Sequence, residues 1–265
     1  MKLIELFEDV NMDMDANNKA RAFVDAVVGY CLNKVQPALE EERYSDIEFQ
    51  FSKFNGSNNV FVWIPSQQLG LSENFRFMIT ASEDAGDGGC YSVFGSGIPY
   101  ICLKLNNLGF EHGKILTYDD LKVAIKQIIF NTKVHTILKH EYIHYLDSFR
   151  NKTMMKQDDD YKEHGKEYYN SPIEFNAYYH NVADVLMNFI NMAQKQKSKE
   201  AILNMADIFK IDANFQKMLE RCLEKSPAII KRFYEMLTDK NKKALYKRLY
   251  KLHQKALEII KDSHR

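Results

Sequence analysis

The residues that most restrict this chain are His140-Glu141-Tyr142-Ile143-His144, set inside a stretch with helical periodicity from about Thr132 to Phe149. Val134, Ile137, Leu138, Ile143 and Leu146 form its apolar side. Two histidines four apart on a helix stand one turn apart on one face, so both imidazoles can reach one metal ion at about 2 Å. Glu141 directly follows His140, and its carboxylate extends past such an ion toward a water. With only 8 His in 265 residues, an HExxH pattern arises by chance with odds of about one or two in a hundred. The plain alternative is a pair of surface histidines. Against it, His and Glu within an apolar pattern are costly to bury without a partner. Asp147 lies seven residues after His140 and three after His144, on their face. It can accept the second ring N–H of a ligand histidine, or it is simply a solvated residue near a helix end.

The rest of the chain bounds the class. Hydrophobic residues make up 45% and charged residues 27%, with 11 Gly and 5 Pro, which describes a soluble globular protein and excludes disordered and collagen-like classes. Lys+Arg and Asp+Glu both number 36, so no global charge draws the chain to nucleic acid or an anionic membrane. The balance is uneven along the chain. Residues 225–265 hold twelve Lys/Arg against four Asp/Glu, a local net of +8, which leaves −8 on residues 1–224. Cys31, Cys90, Cys102 and Cys222 are scattered, too sparse for a disulfide scaffold or a cysteine-built zinc site, and they suit a reducing compartment. The acidic start, MKLIELFEDVNMDMD, is unlike a secretory signal, and no apolar run is long enough for a membrane span. A cytoplasmic location follows as an expectation.

Periodicity predicts an α+β protein with a small mixed sheet early and helices late. A helix over 18–36 ends near Pro37. Alternation at Ile47, Phe49 and Phe51, the turn-like Asn55-Gly56-Ser57-Asn58-Asn59 and the run Val60–Ile64 predict a hairpin. Further strands are expected at Phe75–Thr80 and Pro99–Leu105, separated by a Gly-, Asp- and Ser-rich loop over 83–97. A helix from Thr117 to about Phe130 precedes the HExxH helix, and a polar stretch over 150–170 follows it. Ser171-Pro172 then opens a run of helices to the C-terminus. Three parts are expected: 1–115, an N-terminal α/β part; 116–195, the motif helix and its partner; and 196–265, a helical part with a basic tail. The tail places Leu245, Leu249, Leu252, Ala256 and Ile260 on one side with lysines around them. Packing on its own domain is the first expectation for such a helix. An acidic partner is the alternative, and no nucleic-acid motif accompanies it.

From the strand at 99–105 to the helix at Ser171, the order of elements and the HExxH motif resemble the zincin metallopeptidases. The metzincin extension is absent, because Asp147 and Arg150 stand where that pattern has Gly and His. The resemblance is to the glutamate-zincin type, which implies one Zn²⁺ held by His140, His144 and a third ligand from a later helix. Glu174 is the first candidate, with 29 residues between it and His144 and with small Ala177 one turn on, as in an ExxA pattern. Ser171 and Glu174 also have the spacing of a capping box, which competes for the same carboxylate. Glu163, His164, Glu167 and His180 are the other candidates. Tyr178 stands where a thermolysin-like ExxxD pattern has its Asp.

The resemblance implies hydrolysis of peptide bonds in a polypeptide substrate, with Glu141 as general base and Tyr179 and His180 as donors to the developing oxyanion. It also implies that the strand at 98–105, through Tyr100, Ile101 and Cys102, is an edge that pairs with the substrate, and that the loops at 84–97 and 151–170 flank the site. The alternative function is a catalytically inactive zincin-fold module, binding or virion-structural, with a structural zinc. The opening MKLIELFED resembles proteins of large tailed bacteriophages, which implies a bacterium, a phage-infected host cell or the virion as its setting.

Overall fold

A computed structural model describes residues 3–43, 49–54, 57–72, 74–81, 89–93, 99–104, 118–150, 165–195 and 212–264. The protein is α+β and divides into two compact units: Lys19–Arg150, and Met1–Asn18 together with Asn151–Arg265.

The unit Lys19–Arg150 carries one five-stranded mixed sheet. Strands β1 (Phe49–Phe54), β2 (Ser57–Pro65) and β3 (Arg76–Ala81) form an antiparallel meander, with Phe54 opposite Ser57, so that Ser57–Asn59, expected in the turn, belong to β2. Strand β5 (Pro99–Lys104) runs parallel to β3, and β4 (Gly89–Val93) folds back antiparallel on the outer side of β5. The order is β1-β2-β3-β5-β4. Two expectations change here. The stretch read wholly as a loop contains β4. The strand at 98–105, expected at an edge, is interior, so its main-chain bonds are taken on both sides.

Helix α1 (Leu3–Tyr30) does not stop near Pro37. It passes through a wider π turn at Cys31–Val35, where the Gln36 N–H reaches back to Cys31 O, into α2 (Gln36–Glu40), with Pro37 in the first turn. The wider turn re-registers the ladder just before a residue that has no N–H to offer it. Helices α3 (Tyr118–Phe130) and α4 (Thr132–Arg150) meet at Asn131, whose side-chain oxygen accepts the Lys133 N–H at 2.9 Å and caps α4. Helix α4 is seated by aromatic rings. Tyr142 stacks on Phe23 of α1 at 4.6 Å and 11°, Phe23 meets Phe75 and Phe77 edge-on, and Tyr145 tilts on Phe75 at 4.8 Å.

The second unit is helical among the described residues: α5 (Lys166–Asn170), α6 (Pro172–Lys195), α7 (Asp212–Glu224), α8 (Ala228–Met236) and α9 (Asp239–His264). Tyr178, Tyr179, Val182, Leu186, Phe215, Phe233, Leu245 and Leu249 belong to one buried core. Asn170 ties α5 to the α8–α9 turn. Its amide donates to Met236 O, and its oxygen accepts from the Thr238 N–H and the Asn241 side chain, each at 2.9 Å. The apolar side of the basic tail, Leu245, Leu249, Leu252 and Ala256, is buried, while Lys240, Lys243 and Lys247 are exposed. The tail therefore packs within its own unit, and Arg248 helps by placing its guanidinium 3.7 Å over the Tyr179 ring and donating to Asn176 Oδ1 at 2.7 Å. Among the described residues no helix is long and apolar enough to cross a membrane.

Candidate metal centre

Every residue from Ile137 to Tyr145 is buried, so this part of α4 has no solvent face. That removes the surface-histidine alternative. His140 and His144 are each 7% exposed, and their Nε2 atoms stand 3.0 Å apart. Two nitrogens at 2.0–2.1 Å from one tetrahedral zinc stand about 3.3 Å apart. The pair therefore converges to within a few tenths of an ångström of that spacing, and neutral imidazoles can use the same separation for an N–H···N bond.

His140, His144 and Glu174 form a buried group whose ligand atoms all lie within 4.8 Å of one another. Two imidazoles and one carboxylate are the donor set of a divalent transition-metal site. The competition over Glu174 is resolved locally. Ser171 Oγ accepts the Glu174 N–H at 3.3 Å, so Ser171 does cap α6. The Ser171 N–H, which a reciprocal capping box would give to the carboxylate, instead donates to Tyr168 O at 3.1 Å. The cap thus uses the Glu174 main chain, and the side chain belongs to the buried group. Ala177, one turn on, is completely buried.

Glu141 is 8% exposed and turned toward β4. Gly89 lies directly against it: a Cβ built there would come within 2.5 Å of Glu141 Cγ and 2.9 Å of both Cδ and Oε1. Two residues on, Tyr91 donates from its hydroxyl to Ser148 Oγ at 2.9 Å, and its ring meets Tyr145 edge-on at 6.1 Å. Glu141, Tyr145 and Ser148, spaced i, i+4, i+7, are the α4 stripe under the edge strand. Neither Gly89 nor Tyr91 was picked out from sequence; the signal was a glycine heading a short β-prone run, Cys90-Tyr91-Ser92-Val93, inside a polar stretch.

The other expected site residues fall as follows. Asp147 is half-buried on the histidine face of α4. Tyr179 and His180 are buried on α6, with Tyr179 in the helical core beneath Arg248, and neither belongs to the ligand group. Ile101 and Cys102 are buried and Tyr100 half-buried on the interior strand β5. Glu167 is exposed, whereas Glu163, His164 and most of the flanking segments at 84–97 and 151–170 lie outside the described residues. Burial pushes the Cys31 thiol up to about 12, and it raises Cys222 to about 11 against a smaller opposing pull from Lys225. Neither thiol is ionised near neutrality, which excludes both as nucleophiles. No protein-family model matches the chain, and comparison with curated proteins and with solved structures returned no match either. The functional reading therefore rests on the residues themselves.

Proposed function

We propose that the protein is a zinc-dependent peptidase of the glutamate-zincin type, with His140, His144 and Glu174 as metal ligands and Glu141 as general base. The observation that carries the reading is the buried His-His-Glu group, with a second buried carboxylate, Glu141, next to His140 on the fully buried stretch of α4. Among the described residues the group has three donors, the number a catalytic zinc site uses; a structural site closes with four. Zinc held there supplies Lewis acidity to a water and to a substrate carbonyl.

The chain's own residues do the rest. The two imidazoles and the Glu174 carboxylate bind and orient the ion. Glu141 Oε takes a proton from the attacking water and passes it to the departing amide nitrogen. The outer side of β4 is the sheet edge nearest Glu141, and an extended polypeptide pairs with it by main-chain hydrogen bonds. This moves the substrate strand from β5, where sequence reasoning put it, to β4.

The test is Glu141→Gln. The variant is expected to bind one equivalent of zinc with unchanged affinity and to lose hydrolysis of a fluorogenic peptide library by about 10²–10⁴-fold. Hydrolysis at the wild-type rate would exclude Glu141 as the base.

A further inference from the structure

We propose that Gly89 is a positioning residue for Glu141: the missing side chain at this point of β4 lets the Glu141 carboxylate lie against the main chain of the edge strand. The catalytic part of this inference rests on the peptidase reading above. The contact itself does not.

Glycine inside a strand is unfavourable, since it gives up packing and conformational entropy. Nothing in the Gly89 backbone asks for it, because among the described glycines only Gly70 has positive φ. Gly89 pairs regularly with Leu103. Its neighbour supplies the reason. A methyl group at Gly89 meets Glu141 Cγ, Cδ and Oε1 at distances that real Cβ atoms do not show, so something must shift.

Strand and helix are both held. The Tyr91 hydroxyl is bonded to Ser148, whose own hydroxyl donates to Tyr145 O at 2.6 Å, and the Tyr91 ring lies against Tyr145. Tyr142 fixes the other side of α4 against Phe23. The atoms that a Cβ at Gly89 would meet first all belong to the Glu141 side chain. A substitution at Gly89 therefore displaces the proposed base while leaving His140, His144 and Glu174 untouched.

The experiment is a cycle of four zinc-loaded full-length proteins: wild type, Gly89→Ala, Glu141→Ala and the double variant. Gly89→Ala is expected to lower the thermal midpoint in the wild-type background and to leave it unchanged or raised in the Glu141→Ala background, where the obstacle is gone. Zinc affinity, read by chelator competition, should stay within about threefold of wild type, well short of the 10–100-fold loss expected when a supporting contact to a ligand is removed. On the fluorogenic peptide library, kcat should fall about ten- to a hundredfold with KM unchanged, since displacing a reacting group by about 1 Å costs on that order.

Equal midpoint shifts in the two backgrounds, or failure to fold in both, overturn the contact. A normal kcat in Gly89→Ala overturns the positioning role. If the wild-type protein hydrolyses nothing, the peptidase reading and the catalytic consequence fall together, and the thermal cycle still decides the contact.

Discussion

Replacing His253 with leucine tests how the helical unit responds to acid. His253 lies on α9, fully buried, with its ring 4.9 Å from Phe215 at a 41° tilt. Burial pushes the imidazole down from its ordinary value of 6.5 to about 4, because the charged form cannot be solvated there. The folded protein thus keeps a neutral His253 down to about pH 4, while the unfolded chain takes its proton near 6.5. Between those limits the unfolded state binds more protons, so stability falls as pH falls. The group costs nothing above 6.5, and its cost grows by about 1.4 kcal/mol for each pH unit below. Over the span from 6.5 to about 4 this reaches about 3 kcal/mol, a large share of a typical domain's 5–15 kcal/mol. Urea unfolding followed by far-ultraviolet circular dichroism, from neutral pH down to pH 4, measures it. His253→Leu keeps a similar volume and cannot titrate, so the two proteins' stabilities should diverge by about 3 kcal/mol on acidification. Parallel pH curves would refute the argument.

Glu174→Ala should weaken zinc binding by more than about a hundredfold, beyond what loss of a supporting contact costs; α6 should persist because Ser171 caps the main chain, and unchanged affinity in chelator competition would remove Glu174 from the ligand set. Phe23→Ala, which deletes the ring stacked on Tyr142 and edge-on to Phe75 and Phe77, should cost about 3–5 kcal/mol in urea unfolding. A loss under about 1 kcal/mol would mean that α4 is seated by other contacts. Asn170→Ala removes the side chain that bonds Met236 O and the Thr238 N–H and should cost about 0.5–1.5 kcal/mol, read as a lower midpoint for the helical unit by circular dichroism.

What was legible in the sequence follows from how local each signal was. His140 and His144 were readable because a helix converts a spacing of four into a shared face, whatever surrounds it. Glu174 was readable as a member of the buried group because Ser171-Pro172 marks the start of the helix that carries it. The tail's leucine stripe likewise predicted its own burial. Strand β4 was missed because it is five residues long and sits among Gly, Asp and Ser, where turn chemistry outweighs the β-preference of Tyr91 and Val93. That omission carried a consequence, because without β4 the next strand inherits the edge. Pro37 was read as an end because the π turn that accommodates it has no sequence signature. Tyr179 was singled out for its place beyond the proposed ligand turn; the contact of its ring with Arg248, sixty-nine positions away in the chain, had no local signal.

The aim of the histidine pair is set from the far side of its helix. Tyr142 lies two residues from both His140 and His144, and two residues turn a helix by about 200°, so its ring emerges opposite the imidazoles. There it stacks on Phe23 and meets Phe75 edge-on. Rolling α4 about its axis would break those contacts before it moved the imidazoles far, so the apolar stack fixes the direction in which the imidazoles point. Ninety degrees round, the Glu141 stripe is fixed by β4 through Gly89 and Tyr91. Glu141 and Glu174 are both more than nine-tenths buried. The packing that aims these side chains thus brings together His140, His144 and Glu174, a set that could hold a metal ion.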